Sequence, residues 1–336
     1  MKITSKAPCR VDLAGGTLDI WPLYLYHPGA VTVNFAVNRY TSCVLQTRKD
    51  SKIVLRSRDL KSEESFDSLA ALTSSKRYKL PLAAYLVKFF APRQGIEIDS
   101  DSEAPAGAGI SGSSALIIAI SSALNRLTEA GHSIETLREI SQNIEAQIIR
   151  VPTGAQDYYP AMYGGVSAIE LGPAGVVRRA LPMDADDLNE RTVLAYTGVP
   201  RNSGINNWEV TKAHIDGDAV VFRNFQKISG IAQAMRGALE RGDWEETARL
   251  LREEWANRKR NAPGITTPLI DRLVEATRRA GAKGAKACGA GGGGCVFFLV
   301  DRGAKERVAD TILREGATVL DVSVAPRGVV VRTSTA

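Results

Sequence analysis

The sequence predicts an α+β fold, because patterns typical of strands and of helices occur in separate blocks and do not alternate regularly. Strand patterns, rich in β-branched or alternating apolar residues, fill most of the first hundred residues, and long helical patterns follow. The chain has 336 residues, of which 44% are hydrophobic and 24% charged. Such a chain is expected to form an ordinary folded protein of one large domain or two closely packed domains.

The first half of the chain is predicted to begin as a sheet and to continue as helices. The expected helix at 133–149 opens with Ser133 and carries Glu135 in its first turn, as helix N-termini prefer. The expected strands span residues 3–13, 30–37, 41–47, 52–56 and 95–99. The expected helices span residues 80–90, 113–129 and 133–149.

The second half shows strands, then helices, then strands again. A domain boundary is expected near residues 172–190, where glycine, proline and an acidic run interrupt the pattern. We therefore predict an N-terminal domain over residues 1–180 and a C-terminal domain over residues 181–336. The expected strands span residues 165–171, 176–181, 191–196, 295–300, 319–324 and 328–332. The expected helices span residues 218–240, 244–258, 267–280 and 304–315.

Charge and composition narrow the class of ligand. The formal charge of +6 favours anionic ligands such as phosphates, but the basic residues are scattered, so no nucleic-acid partner is expected. The N-terminus lacks the apolar core of a signal peptide, and two serines interrupt the longest apolar stretch, residues 115–124. We expect a cytoplasmic protein with no membrane partner. Four cysteines without a C-x-x-C pair and three separated histidines argue against a structural zinc site.

The stretch PAGAGISGSSALIIAI, residues 105–120, has glycines at the G-x-G-x-x-G spacing of dinucleotide-binding loops. Such a loop follows its strand directly and is paired with an acidic residue about 20 positions later, at the end of a second strand. Here the polar loop SDSEAPA precedes the glycines, and the helical pattern continues where the second strand should end. This context argues against a dehydrogenase. A Walker A loop is excluded, because the chain contains no Gly-Lys dipeptide.

The same stretch fits a phosphate-binding loop at the start of a helix. Free backbone N–H groups and the positive end of the helix dipole attract anions there. Glycine lets the backbone approach phosphate oxygens, and a serine hydroxyl at the helix start can coordinate magnesium. The alternative is that Ser113 and Ser114 only cap the helix.

Three other segments carry candidate functional residues. In APCRVDLAGGTLDIWPLY, Arg10 is a permanent planar cation suited to a phosphoryl group, unless it only extends to solvent from a sheet edge. The segment NIEAQIIRVPTGAQDYYPAMYGG places Glu145 near a helix end and Asp157 after a bend, where a lone aspartate is otherwise a turn residue. ACGAGGGGCVFFLV holds more glycine than a hairpin needs, which predicts a backbone surface that something approaches closely.

With these segments in this order and spacing, the sequence resembles the GHMP kinase superfamily, which includes galactokinase, homoserine kinase, mevalonate kinase and phosphomevalonate kinase. Within it, AGGTLDIWPLY is similar to the AGGGTDxPP segment of the heptose-phosphate and fucose kinase branch. GAQDYYPAMYGG is likewise similar to that branch's GKQDQYAAAYGG. The resemblance implies a two-domain GHMP kinase fold, with an N-terminal domain like domain 2 of ribosomal protein S5 and a ferredoxin-like α/β C-terminal domain.

The resemblance also implies an activity: ATP- and Mg²⁺-dependent transfer of the γ-phosphoryl group to a sugar hydroxyl, the anomeric hydroxyl of a heptose 7-phosphate or a related sugar. A galactokinase, a mevalonate-type kinase and an inactive ligand-binding relative stay open as alternatives. The expected partner is a small sugar or sugar phosphate, and the protein is expected to be a monomer or a homodimer.

Individual roles follow from the resemblance. Asp157 would orient or deprotonate the sugar hydroxyl, or serve mainly as an anchor for Arg10, which would stabilise charge on the γ-phosphoryl group. Ser113, with Ser114 as the open alternative, would bind magnesium together with Glu145. The ATP phosphates would be wrapped by Gly107, Ala108, Gly109, Ile110, Ser111, Gly112, Ser113 and Ser114. The acceptor would meet Asp19, Gly16, Thr17, Gly291, Gly292 and Gly293.

Three departures from the family pattern concern the reacting groups. GISGSSA replaces the usual GLGSSSA, Tyr158 replaces the glutamine after the catalytic aspartate, and Leu18 precedes Asp19 where the family has a glycine-rich run. Two of these changes lie near the acceptor, so the identity of the sugar stays open.

Overall fold

The computed structural model of the chain describes residues 1–200 and 203–334. Two β-sheets organise this part of the chain. The strands of the first sheet are β1 (Lys2–Ala14), β2 (Val31–Thr47), β3 (Ile53–Ser57), β4 (Ser62–Phe66), β5 (Ile96–Ser102), β6 (Val166–Gly172), β7 (Gly175–Ala180) and β12 (Val330–Ser334). The strands of the second are β8 (Thr192–Tyr196), β9 (Ala282–Ala287), β10 (Cys295–Val300) and β11 (Thr318–Leu320).

The first sheet is built on β2, which is one continuous strand where the sequence predicts two. Its C-terminal part pairs with β5 and its N-terminal part with β6, and β1 lies along most of its length. The register against β1 shifts between Pro8 and Cys9, opposite Val37 and Tyr40, so the extra residues form a bulge. A bulge bends a strand without ending it, which explains the break in the apolar pattern.

The second sheet has the strand order β11-β8-β10-β9, with every pairing antiparallel. The helices are α1 (Leu69–Ser74), α2 (Pro81–Phe90), α3 (Gly112–Thr128), α4 (Ile134–Ile149), α5 (Tyr158–Tyr163), α6 (Ala185–Glu190), α7 (Ser203–Ile215), α8 (Ala219–Glu240), α9 (Trp244–Arg258), α10 (Pro268–Ala280) and α11 (Lys305–Arg314). Within the described ranges, no helix combines the length and the apolar character needed to cross a membrane.

Helix α3 forms the centre of the N-terminal core. It packs on β1 and β2 and is flanked by α2 and α4. Its middle turn, residues 117–120, is fully buried, as the apolar content of this stretch predicts. The start of α3, with the glycine loop before it, is thereby held rigidly against the first sheet.

The predicted boundary between residues 180 and 181 falls between the last strand of the hairpin β6–β7 and the first strand of the second sheet. The chain end departs from this division, because β12 returns to the first sheet and pairs with β1 from Lys2↔Ser334 to Lys6↔Val330. The predicted C-terminal domain of 181–336 therefore contributes its last described strand to the N-terminal sheet.

Some elements escape the sequence patterns. Strand β4 is SEESF, an edge strand without apolar alternation, and β9 is AKGAKA, which lacks the β-branched residues typical of strands. The acidic run expected to interrupt the pattern forms the short helix α6, and α1, α5 and α7 are likewise additional. The strand expected at 319–324 is limited to β11, Thr318–Leu320.

Candidate active site

A cavity of about 760 Å³ lies where the first sheet, the start of α3 and the second sheet meet. Its walls bring together residues that are far apart in the sequence. Arg10, Asp19, Ser113, Glu145 and Asp157 all line it. All five are among the side chains that the sequence predicts for catalysis, metal binding and recognition of the acceptor.

The predicted phosphate loop forms one wall of this cavity. Gly107 and Gly109 have φ values of +68° and +78°, and Ser111, directly before α3, has a φ of +60°. No side chain caps the helix, and the buried hydroxyl of Ser111 has no hydrogen-bond partner within the described residues. The first N–H groups of α3 are thus left for an anion, which disfavours the capping alternative.

Glu145 lies beneath the helix start and accepts three hydroxyl hydrogen bonds. Ser113 Oγ donates to Oε1 at 2.7 Å, Ser114 Oγ donates to Oε2 at 3.1 Å, and the Tyr158 hydroxyl also donates to Oε2. Burial raises the pKa of Glu145 in spite of these donors, which favour the charged form. Tyr158, which replaces the family's glutamine, thus helps to hold the Glu145 carboxylate in place by a hydrogen bond.

A hard cation suits this oxygen-rich corner. Ser113 and Ser114 both line the cavity, but Ser113 is exposed whereas Ser114 is buried, so the exposure favours Ser113 as the hydroxyl ligand. Across residues 1–200 and 203–334 there is no cluster of three or more His, Cys, Asp or Glu side chains that could cage a metal. Magnesium typically combines one or two carboxylates with substrate phosphates and water, so Ser113 and Glu145 fit it as partial ligands.

Arg10, which is buried, forms an ion pair with Asp157, whose side chain is partly exposed to the cavity. Arg10 donates to Asp157 Oδ1 through Nε at 3.0 Å and Nη2 at 2.7 Å, and its Nη1 donates to the Gly109 carbonyl at 2.7 Å. Burial alone would lower the pKa of Arg10, but the carboxylates of Asp157 and Asp12 raise it above its ordinary value. Because both bonds use Oδ1, the second oxygen of Asp157 can face an acceptor hydroxyl.

Asp19 is buried next to Asp157. Its Oδ2 accepts a hydrogen bond from the Gln156 backbone N–H at 2.9 Å, and a Cβ at Gly154 would lie only 2.0 Å from the same oxygen. Burial, reinforced by the negative charge of Asp157, raises the pKa of Asp19 to about 7. Gly16 and Thr17, also predicted for the acceptor, line the cavity.

The glycine-rich loop before β10 reaches the cavity with other residues than the sequence predicts. Gly289 and Ala290 line the cavity, whereas Gly291 and Gly292 pack on the backbone of Ile265, where a Cβ on Gly291 would be 2.2 Å from its carbonyl oxygen. Gly291, Gly292 and Gly293 are not among the cavity-lining residues. The direct contact surface is therefore Gly289–Ala290, and the later glycines serve close backbone packing.

The end of the same loop supports the phosphate loop. The Cys295 N–H donates to the Ala108 carbonyl at 2.7 Å, and a Cβ at Gly294 would lie 2.6 Å from that oxygen. The second sheet therefore backs the phosphate loop directly.

The sequence reasoning missed a buried charge chain that joins the two sheets. We use this name for the alternating series Arg10, Asp12, Lys286, Glu254 and Arg258, all of whose side chains are at most 4% exposed. Lys286 Nζ contacts Asp12 Oδ2 and lies 3.7 Å from Glu254 Oε1. Arg258 Nε donates to Glu254 at 2.8 Å.

The buried charge chain connects predicted site residues: it begins at Arg10 itself, and its other end, Arg258, contacts Gly16. At one end Asp12 lies 3.6 Å from Arg10 Nη1, and it accepts the Gly289 N–H at 2.8 Å. At the other end Arg258 Nη2 donates to the Gly16 carbonyl at 2.9 Å. Burial would raise the pKa of Asp12, but Lys286 and Arg10 hold it well below its usual range. A charged residue inside an otherwise buried strand, as in RVDLA and GAKA, is the sequence signal for Arg10, Asp12 and Lys286.

Fold and site together define a two-domain kinase of the GHMP class. The model of the GHMP kinases N terminal domain matches residues 77–165, and that of the GHMP kinases C terminal region matches residues 235–318. Together they cover more than half of the chain, which therefore belongs to the GHMP kinases, as the sequence motifs predict.

Particular relatives span nearly the whole chain. The sequence is 28% identical to the D-glycero-alpha-D-manno-heptose 7-phosphate kinase of Campylobacter jejuni, over 97% of this chain and 98% of that protein. It is 25% identical to the galactokinase of Pyrococcus furiosus, over 94% and 93% of the two chains. A solved D-glycero-D-manno-heptose 1-phosphate kinase from Bacteroides thetaiotaomicron has the same fold, with a TM-score of 0.80, 23% identity and coverage of 99% and 100%. The predicted two-domain GHMP kinase fold is confirmed.

Proposed function

We propose that this protein is a sugar kinase that uses ATP and Mg²⁺ to phosphorylate the anomeric hydroxyl of a heptose 7-phosphate or a closely related sugar. The observation that carries the proposal is the convergence in one cavity of the phosphate loop, the Arg10–Asp157 pair and the buried carboxylate of Asp19. The full-length similarity to a heptose 7-phosphate kinase supports the choice of sugar. A cytoplasmic location remains a prediction.

The loop and the helix start would hold the triphosphate. Ser111, Gly112, Ser113 and Ser114, at the start of α3, line the cavity, and their backbone N–H groups would bind phosphate oxygens. A bound magnesium ion, held by Ser113 and Glu145 together with the phosphates, would neutralise part of their charge. Arg10 adds a fixed positive charge to the same region, and three of its five N–H groups are already bonded to Asp157 and Gly109.

Asp157 would orient the acceptor hydroxyl. Arg10 holds Oδ1, and Oδ2 can accept a hydrogen bond from the hydroxyl that attacks the γ-phosphorus. Phosphoryl transfer passes through a loose transition state, so orientation of the nucleophile contributes more than its early deprotonation. Asp19, beside Asp157, would accept hydrogen bonds from further hydroxyls of the same sugar.

The test is a screen of ATP consumption over hexoses, heptoses, their phosphates and mevalonate, with the site of phosphorylation assigned by phosphorus NMR. We expect the variant Asp157→Asn to lose at least about 100-fold in kcat while it stays folded and still binds nucleotide. Asp310→Asn, at an exposed position on α11, is the matched control and should leave kcat unchanged.

The alternatives give different results in the same screen. Preferential use of galactose or mevalonate would replace the proposed acceptor, and Asp157→Asn with normal turnover would overturn the role of this residue. If no acceptor consumed ATP while nucleotide bound normally, the chain would be an inactive ligand-binding relative.

A further inference from the structure

Asn207, on α7, is a polar residue of the active-site cavity that the mechanism described above does not use. It lines the same cavity as Asp19 and Asp157, but it comes from the second half of the chain, whereas the two aspartates come from the first. Its Oδ1 lies 3.4 Å from the hydroxyl of Thr17, one of the residues that the sequence predicts for the acceptor. Asn207 therefore reaches the acceptor end of the cavity.

Thr17 is held in an unusual backbone conformation beside Asn207. Its φ of +74° lies in the left-handed region, which β-branched residues rarely adopt. The buried Arg258 donates to the Thr17 hydroxyl through Nη1 at 3.3 Å and to the Gly16 carbonyl through Nη2 at 2.9 Å. Strain of this kind persists where the surrounding contacts maintain it, and it is typical of functional sites. Arg258 thus fixes the hydroxyl that Asn207 contacts.

These contacts determine which end of the Asn207 amide is available to a ligand. A guanidinium only donates hydrogen bonds, so the Thr17 oxygen accepts from Arg258, and its single proton is directed to Asn207 Oδ1. This contact is long for a hydrogen bond between two oxygens, so it restrains the amide only weakly. Among the residues that the structure describes, none accepts a hydrogen bond from Asn207 Nδ2. Nδ2 is therefore a donor that a molecule in the cavity can use.

A donor complements the carboxylates at this end of the cavity. Asp19 and Asp157 can only accept hydrogen bonds when they are ionised, and the Nε and Nη2 donors of Arg10 are bonded to Asp157. A sugar also carries oxygens that have no proton to donate, such as its ring oxygen, and these oxygens need a donor from the protein. Asn207 Nδ2 can supply one.

Helix α7 is anchored at its other end to the segment that carries Asp19. His214, in the last turn of α7, and His27 are both buried, and their Nε2 atoms form a hydrogen bond at 2.8 Å. The helix therefore contacts residues 17–27 through Asn207 and again through His214. Two contacts with one segment hold Asn207 in a defined position relative to Asp19.

We propose that Asn207 is a specificity-determining residue of the acceptor site, and that its Nδ2 donates a hydrogen bond to an oxygen of the sugar. This inference rests on the proposed function, because it concerns the acceptor of the same reaction. Asp19 and Asp157 would accept hydrogen bonds from hydroxyl groups, while Asn207 donates to an oxygen that carries no proton or has given its proton to a carboxylate. The second half of the chain thereby takes part in selecting the sugar.

The experiment compares the wild type with Asn207→Ala, Asn207→Asp and the control Glu209→Ala, with a heptose 7-phosphate as acceptor. Glu209 is exposed, lies two positions further along α7 and does not line the cavity. We expect both Asn207 variants to raise the KM for the acceptor about 3- to 10-fold, as for the loss of one hydrogen bond, with kcat and the KM for ATP within about twofold of the wild type. Glu209→Ala should match the wild type.

Asn207→Asp separates the loss of the donor from a structural role, because its carboxylate can still accept from Thr17. A wild-type acceptor KM in Asn207→Asp would show that Asn207 only supports Thr17, and would overturn the inference. Acceptor KM values equal to that of Glu209→Ala, or a rise in the KM for ATP as large as that for the acceptor, would overturn it as well. Each of these outcomes leaves a sugar kinase in place.

Failure of the proposed function gives a different result. If the wild type phosphorylates another sugar of the screen, the same four proteins are compared with that sugar. If it phosphorylates none, the proposed function and this inference are both overturned. Thermal unfolding of each variant verifies that a change in KM does not come from loss of folded protein.

Discussion

Lys286 is the position at which the link between the two sheets can be tested most directly. The substitution Lys286→Met keeps the approximate length of the side chain and removes its charge. Asp12 and Glu254 then lose a shared cation in a site where Lys286 and both carboxylates are fully buried. Removing one partner of a buried ion pair costs about 3–5 kcal/mol.

The lower end of that range applies here, because each carboxylate keeps another cation. Asp12 keeps Arg10 at 3.6 Å, and Glu254 keeps its contact with Arg258. We therefore expect a loss of about 3 kcal/mol in the free energy of unfolding, which for a chain of 336 residues corresponds to a decrease in Tm of about 4 °C. We also expect a lower kcat, because Asp12 would compete with Asp157 for Arg10 once Lys286 is gone.

The assay is thermal unfolding together with steady-state kinetics. Lys283→Met is the matched control, because Lys283 lies on the same strand, has a side chain that is 40% exposed, and pairs with Asp301 at 3.3 Å and Glu245 at 3.5 Å. Exposed pairs contribute little, so the control should unfold close to the wild type. The double variant Asp12→Asn/Lys286→Met should be less destabilised than the sum of its single variants. A Tm for Lys286→Met equal to that of Lys283→Met would refute the reasoning.

Two further predictions concern Asp19 and the proposed magnesium ligand Ser113. The pKa of Asp19 is raised to about 7, so its stabilising contribution is complete below its ordinary pKa of 3.8 and is lost as the pH rises through 7. Asp19→Asn should therefore become more stable than the wild type between pH 5 and pH 8, by up to about 4 kcal/mol, while acceptor binding weakens; a difference in Tm that does not change with pH would contradict this. Ser113→Ala should raise the Mg²⁺ concentration needed for half-maximal Mg²⁺-dependent ADP binding by about tenfold, and Ser114→Ala by clearly less. Calorimetric titration measures both, and equal effects would show that the exposure of Ser113 does not select the ligand.

The local parts of this site can be predicted from the sequence, and the long-range parts cannot. The glycine loop, Arg10 and Asp157 are recognisable because each depends on a short motif whose chemistry is visible in consecutive residues. The pairing of Lys286 with Asp12 and Glu254 is not recognisable in this way, because the three residues lie on elements that are far apart in the sequence. The order of motifs indicates that the two halves of the chain meet, but not which buried charges pair there.

The glycines before β10 show the same difference on a smaller scale. Their number correctly predicts a close approach of backbone, but the partner of Gly294 is the phosphate loop itself, and that of Gly291 is residue 265. Only Gly289 and Ala290 reach the cavity. A run of glycines predicts a close approach of another backbone or a ligand, but it does not predict which of the glycines contact the ligand.

The buried charge chain explains why a phosphoryl-transfer site is built where two sheets meet. Asp12 binds Arg10 of its own sheet, and it also binds Lys286 and the Gly289 N–H of the second sheet. Docking of the second sheet therefore completes the shell that holds Arg10 against Asp157. The buried, charged carboxylate of Asp12 is stable only when both sheets are docked, because Arg10 comes from the first sheet and Lys286 from the second. The orientation of Asp157 is thus a property of the docked domains and not of the N-terminal domain alone.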